Sequence, residues 1–461
     1  MAYLIVVLCS ALSGWGLKLY LDTQNYEQKI TWTEYIFGMV IIVLAVPLLM
    51  YGMRSLFIQQ KITYNEWWNG WETSAVKENV TCVRDGPCRH EYSCDPYIVI
   101  VQHCSSDANG HSNCYSTPET RYHDCPYVTE EQSFYIDTTL GRFTVAEHRF
   151  PDSPDQHPWR SGKQIPADVL SSAGQGIPAF WQNAKDRIAS SNPGPVTKRM
   201  EYKNYILASE HTILKQYASD IEDYRKAGLL PDLAHTVIPI PDSKESYLAN
   251  KVYFVGMNPQ NRQEWFDTLG RLNAGFGSEL QGDVHLVIAD SKAIENIDRY
   301  FFALKADWQN SQTLGKDALS KNSVLIVITI DGDKVDRVRA GTGMPVGNES
   351  TVTALKSRLV GSSFDPKVIV GTVTGTHAIA KHGTGIIESV LWGLDDKTTR
   401  FQRVCMDCGV GDNGVGFSYL LKEVTLSNGV IAIIALIAFV VSLLVWAVFA
   451  AVSEYYSPWR Y

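Results

Sequence analysis

The sequence predicts an α/β body tied to a membrane by apolar helices and carrying a separate cysteine-rich module. Three observations predict it. Residues 35–53 and 428–453 contain no charged residue, and each is long enough to cross a hydrocarbon core of about 30 Å. Six cysteines fall within 44 residues. Apolar strand patterns at 284–290 and 323–331 enclose a helical pattern, the signature of a βαβ unit with parallel strands.

The chain has 461 residues and a formal charge of −8. That length has room for two or three domains. The acidic balance, with no basic cluster, argues against a nucleic-acid partner. Residues 35–53 hold Pro47, which a membrane helix tolerates. Trp32 and Tyr35 at one end, with Tyr51 and Arg54 at the other, suit two interfaces. Residues 2–17 are shorter and are followed by Lys18. They read as a third span with the lysine snorkelling, or alternatively as a signal peptide. Three spans put the N-terminus and the body on one side and the C-terminal tail on the other. Flanking charge does not choose the side: Lys18, Lys29 and Arg460 balance Arg54, Lys61 and Lys422.

Cysteine usage does choose. Cys82, Cys88, Cys94, Cys104, Cys114 and Cys125 sit in a stretch with little apolar content. Such a stretch needs covalent or metal staples. Disulfides, including Cys405 and Cys408, imply an oxidising, extracytoplasmic body. The rival is zinc, since His90, His103, His111 and His123 are interleaved. No C-x2-C pair seeds a zinc site in that stretch. Cys405-Met-Asp-Cys408 is such a pair, and reads as a disulfide, half a zinc site or a redox pair. Trp67, Trp68 and Trp71 follow the second span directly, where an interfacial belt is expected and a partner-binding patch is the alternative.

Residues 133–147 read as strand, turn and strand, and a Pro/Asp/Ser/Gly-rich loop follows at 150–178. Ile206, Ile213, Leu214, Tyr217, Ile221 and Tyr224 recur at helical spacing over 203–228. After a short strand at 253–257, a helix is expected to Phe276, then strand 284–290, helix 294–308 and strand 323–331. Asp331-Gly332-Asp333 turns into the alternating strand 334–340. The chain thus divides into a membrane segment 1–62 with spans 2–17 and 35–53, a cysteine-rich extracytoplasmic module 63–128, and a mixed β/helical region 129–250. An α/β domain 251–400, a Cys/Gly segment 401–427 and a C-terminal span 428–453 complete it.

Residues 255–362 resemble the TPM domain family. NPQNRQEWFDTLGRLNAGFGSEL, VHLVIAD, NIDRYFFALKADW and NSVLIVITIDGDKVDRVRAGTG are similar to its helix, apolar strand, helix and strand-to-hairpin ending in G-x-G. The chain departs from the pattern after Gly343, where Met344-Pro345 replaces an acidic residue. FDPKVIVGTVTG reads as an extra strand where the family has a helix. The resemblance implies a mixed-sheet α/β sandwich, extracytoplasmic and tethered. Family members assist membrane complexes, bind calcium or show weak phosphatase activity.

Asp290 and Asp331 end the two apolar strands, and Asp333 is close by. Three carboxylates at one sheet edge would suit calcium or magnesium and could polarise a phosphoryl group. The plainer alternative is a polar hairpin turn and a helix cap. His377, Lys381 and His382 lie in GTHAIAKHGTG before IIESVLWG. That loop reads as flexible, with a backbone anion cradle as the alternative. No hydrolase motif is present. The expectation is a noncatalytic tethered protein that binds, assembles or stabilises a membrane complex, through other membrane proteins or self-association. The alternative is a divalent-metal-dependent phosphatase of the TPM type using Asp290, Asp331 and Asp333.

Overall fold

The computed structural model describes residues 2–23, 30–80, 88–106, 112–129, 131–149, 176–209, 216–233, 236–240, 246–310, 319–343, 347–376, 379–403 and 416–452. The helices are α1 (Ala2–Thr23), α2 (Trp32–Ile62), α3 (Ala179–Ala189), α4 (Tyr205–Ser209), α5 (Ala218–Lys226) and α6 (Arg262–Leu280). They continue with α7 (Ile297–Asn310), α8 (Glu349–Leu359), α9 (Pro366–Ile369), α10 (Ile386–Trp392) and α11 (Asn428–Val452). The strands are β1 (Thr63–Asn79), β2 (Cys88–Ser106), β3 (Ser112–Thr129), β4 (Gln132–Thr138), β5 (Gly141–Arg149), β6 (Pro195–Lys203) and β7 (Thr236–Pro239). Then come β8 (Ser246–Asn250), β9 (Val252–Val255), β10 (Asp283–Asp290), β11 (Ser323–Asp331), β12 (Lys334–Thr342), β13 (Thr374–Thr376) and β14 (Ile379–Lys381).

α1, α2 and α11 are long and apolar enough to cross a membrane. α1 runs past Lys18 to Thr23. The lysine permits this because its Nζ donates to the Ile30 carbonyl at 2.7 Å and pairs with Asp22 at 3.1 Å. α2 opens on a capping box, with Thr31 and Glu34 each satisfying the other's backbone N–H. Lipid offers no hydrophobic drive between helices, so close fit and hydrogen bonds must hold the bundle. Trp446 supplies both. Its indole donates to the Ser10 carbonyl at 2.9 Å and stacks on Tyr35 at 5.2 Å. A Cβ on Gly14 or Gly38 would stand 2.3 or 2.6 Å from the indole, so only glycine admits it. Ser10 and Ser442 hydroxyls meet at 2.6 Å, and with Gly14 against Trp446 one turn further along both helices, α1 runs parallel to α11.

α2 passes without a break into β1. Residues Thr63–Trp71 of β1 pair with β6, and Glu72–Asn79 pair with β4. The sheet order is β5-β4-β1-β6, antiparallel throughout. Trp71 sits at the switch between partners and is fully buried with Trp265 in the main core. The interfacial or partner-binding readings of this tryptophan group therefore fail for Trp71. Residues 63–79 belong to the body's sheet, not to a separate module.

The second sheet has order β12-β11-β10-β9. β9, β10 and β11 are parallel, and β12 returns antiparallel. Strand alternation gives each face its own core. Leu286, Ile288, Ile326 and Ile328 pack on one side with Leu272 of α6, Leu355 of α8 and Leu391 of α10. Val287, Ala289, Leu325 and Val327 pack on the other with Tyr300 and Trp308 of α7. The fold is a mixed-sheet α/β sandwich, as the strand–helix–strand pattern predicts.

Two expectations need correction. FDPKVIVGTVTG is not one strand. Asp365 caps α9, its carboxylate accepting from the N–H of Lys367 at 2.7 Å, with Pro366 just inside. Only Thr374–Thr376 is extended. Nor is 203–228 a single helix. β6 reaches Lys203, Asn204 starts α4 by accepting from the Leu207 N–H at 3.0 Å, and α5 begins only after a non-helical Tyr217, while Ile213 and Leu214 lie outside the described residues.

A buried polar brace joins the two sheets. Asn69 of β1 donates to Asp283 of β10 at 2.9 Å and accepts from Thr197 of β6 at 3.1 Å. Lys251 pairs with Asp283, and His285 Nε2 lies 3.0 Å from the other carboxylate oxygen. Burial pushes the Asp283 carboxyl up, but the charges of Lys251 and His285 outweigh it and hold it well below the usual range. Gly277 of α6 lies against Asn69, where a Cβ would come within 2.4 Å of its carbonyl oxygen.

Candidate interaction ribbon

Between β1 and β4 the chain leaves the body as β2 and β3. Their pairing runs from Cys88↔Thr129 to Ser106↔Ser112. Because Asn79 pairs with Gln132, the ribbon prolongs two strands of the body's sheet. At about 3.3 Å per residue, β2 alone spans roughly 60 Å. Tyr97–Val101 is β-branched and aromatic, which favours extended backbone.

The root is fixed. Glu131 is buried, takes His90 Nε2 at 2.6 Å, and its backbone carbonyl accepts from Val80 N–H at 2.9 Å. Beyond the root, Ile98 and Ile100 are each 73% exposed, and Tyr115 and Tyr122 are exposed as well. Among the described elements, the two strands pack substantially only on each other. A lone two-stranded ribbon is marginal in water. Disulfides supply the deficit: Cys94–Cys125 and Cys104–Cys114 both cross the ribbon. Cys88 is also disulfide-bonded. Cys82, Cys405 and Cys408 lie outside the described residues. Disulfides of this kind belong to an oxidising compartment.

Strand parity gives the ribbon two unlike faces. One carries Tyr97, His103, Tyr115, Glu119, Arg121 and His123. There His103 approaches Glu119 at 3.5 Å and Tyr97 stacks on His123 at 4.4 Å. The other carries Pro96, Ile98, Ile100, Pro118, Thr120 and Tyr122, is uncharged from there to the Cys104–Cys114 bridge, and meets its first charge, Asp124, toward the root. The Cys104–Cys114 Cα separation of 4.1 Å marks a non-hydrogen-bonded pair. By alternation Ile98 and Ile100 then turn their N–H and C=O groups to the outer edge. Pro96 and Pro118 occupy outward positions where no N–H exists to offer. Edge pairing is thereby blunted, so the ribbon offers its faces, and the Ile98 and Ile100 face is the apolar one.

The other residues expected to act lie in the body. Asp290 pairs in register with Ile330, so Asp331 is out of phase with it. Asp290 continues the Ile288 side of the sheet, and Asp331 the Val327 side. The Asp290 carboxylate accepts from Lys292 N–H at 2.8 Å, while Asp331 and Asp333 are exposed at the hairpin turn. The three carboxylates do not gather into a metal-sized cluster. They therefore do not fit a shared calcium or magnesium ion. Two other groups do gather, Cys88–His90–Glu131 and Cys94–Asp95–Cys125. Their cysteines are disulfide-bonded and offer zinc no thiolate.

The GTHAIAKHGTG loop does form an anion cradle, and the anion is the protein's own. Glu388 of α10, wholly buried, accepts from Gly383 N–H at 2.8 Å and Thr372 N–H at 3.0 Å, with His382 Nδ1 at 3.2 Å. Gly371 has φ +135°, and a Cβ there would meet the carboxylate at 2.3 Å. His377 lies outside the described residues. A second buried carboxylate, Glu72, receives Arg187 at 2.5 Å, Tyr247 OH at 2.5 Å and Gly194 N–H at 2.6 Å. Burial and the neighbouring Glu72 charge raise the Tyr247 hydroxyl well above its ordinary pKa. Both sets brace the fold.

Sequence reasoning found the cysteines but missed the ribbon. The signal was present: YIVIVQ opposite STPETRY has strand composition, with proline on both sides. Comparison with protein-family models, with curated proteins and with solved structures returns no match.

Proposed function

We propose that this is a noncatalytic, membrane-tethered extracytoplasmic protein that binds or assembles a membrane complex through its ribbon. The observation that carries the reading is a long arm, cross-linked by two disulfides, whose Ile98 and Ile100 face packs on no other described element. Exposing Ile98 and Ile100 costs solubility, and a contiguous exposed apolar face is a mark of an interaction site. Partners are other membrane proteins or further copies of the chain. A TPM-like origin of residues 255–362 is compatible with the order of β9 to β12 and remains part of the proposal.

The test is crosslinking of the full chain in native membranes, comparing wild type with Ile98→Asp/Ile100→Asp. Loss of a defined adduct in the variant, with unchanged thermal stability, supports the reading. An unchanged adduct pattern sinks it. The purified protein should also leave an aryl phosphate intact with calcium, magnesium or chelator. Metal-dependent turnover that disappears in Asp290→Asn would replace the proposal with the phosphatase reading.

A further inference from the structure

The three-helix bundle leaves a groove on its body side, with a volume of 570 Å³. That lies within the range of small-molecule sites, roughly 300–1,000 Å³. One wall is a stripe of α2, Pro47, Met50, Tyr51 and Arg54, and the other includes Ile431 and Ile434 of α11. The α2 positions share one helix face, because three- and four-residue steps return to the same side.

Depth can be assigned along α2. Trp32 and Arg54 are 22 residues apart, or about 33 Å at 1.5 Å per residue. That matches the thickness of a hydrocarbon core, about 30 Å. Trp32 then marks one interface, where Lys18 Nζ lies 5.2 Å from its ring centroid. Arg54 marks the other, on the side of the body. From Arg54 the groove descends to Pro47, about 10 Å into the apolar layer. Its wall is apolar within the layer, and its single cation stands at headgroup depth. Among the described residues Arg54 is exposed and has no ion pair or hydrogen bond.

We infer that this groove holds an anionic phospholipid, with one acyl chain lying along Pro47, Met50 and Ile434 and the phosphate headgroup against Arg54. The occupant must be both a chain and an anion. A free anion has no use for the apolar wall, and a purely apolar molecule has none for the guanidinium. Arginine suits the head because its planar fork grips phosphate oxygens. The inference is independent of the ribbon's role.

The test uses the full-length protein in nanodiscs of phosphatidylcholine with one tenth phosphatidylglycerol of the same acyl chains. Native mass spectrometry reads which lipids remain bound. A basic residue at an anionic surface favours the anionic lipid by about fivefold. Wild type should therefore retain phosphatidylglycerol about fivefold above its bulk share. Arg54→Gln should return it to the bulk share, and Arg54→Lys should keep most of the preference. Ile434→Trp, which fills the groove, should lower retention of both lipids. A preference unchanged by Arg54→Gln, no preference in wild type, or a second copy's helix excluding lipid from the groove would each overturn the inference.

Discussion

Replacing Cys94 and Cys125 by serine should melt the ribbon and leave the body folded. The bridge closes a loop of 31 residues. Loop-closure entropy then assigns it about 3.7 kcal/mol, against about 2.7 kcal/mol for the ten-residue Cys104–Cys114 loop. A lone two-stranded ribbon has almost no stability of its own. Removing about 3.7 kcal/mol corresponds to a shift of roughly 500-fold toward the open form. Amide hydrogen exchange of the full chain in detergent reads this directly. The cross-strand amides of Val99 and Val101 should exchange two to three decades faster, and β10 and β11 should keep their protection. The separation is expected because, among the described elements, the ribbon strands pack substantially only on each other. Equal acceleration of β10 and β11 would refute it, since the ribbon would then share the body's cooperative unit. Unchanged ribbon exchange would refute it from the other side.

The buried brace makes a second prediction. Asp283→Asn leaves Lys251 charged and unpaired, and should cost about 3–5 kcal/mol in urea unfolding. The Asp283 pKa is depressed in the fold, so its stabilisation is present above the unfolded value of about 3.9 and is lost as pH falls below it. Wild type should weaken as the pH falls from about 5 to 3, and Asp283→Asn should show a flatter profile. Glu388→Ala strands the N–H groups of Thr372 and Gly383. It should lower stability by about 2–4 kcal/mol, read as an earlier thermal transition of the body. Gly14→Val forces a methyl into Trp446. Ser10→Cys/Ser442→Cys should form a disulfide readily in the native bundle, and poorly when Gly14→Val is added.

How far the sequence reaches differs by element. The strands of the α/β domain were readable because VHLVIAD and SVLIVITID are apolar throughout, the pattern of strands buried on both faces. They appear as Asp283–Asp290 and Ser323–Asp331. The helix pattern at 203–228 misled because Ile206 in α4 and Ile221 and Tyr224 in α5 keep compatible spacings although they belong to separate helical pieces. Asn204, a good helix-starting residue, opens the first piece, and Tyr217 precedes the second. The Asp290, Asp331 and Asp333 trio misled for a geometric reason. Ends of parallel strands share an edge, but the register of β10 on β11 decides the face, and register is a pairing property.

The membrane anchors and the stapled module are properties of composition. Length without charge dictates α2 and α11, and six clustered cysteines in a poorly apolar stretch dictate cross-linking. Even so, tertiary structure decided what each of these does. It carried α1 on to Thr23, because Asp22 and the Ile30 carbonyl together satisfy Lys18. It turned part of the cysteine-rich module into a central strand, because Trp71 finds its core beside Trp265, more than 190 residues away. It drew Cys88, Cys94, Cys104, Cys114 and Cys125 out into a ribbon that leaves Ile98 and Ile100 exposed. Local sequence sets which backbone shapes are cheap. Which surfaces are then covered, and which are left to meet something else, depends on contacts between distant segments that no local pattern encodes.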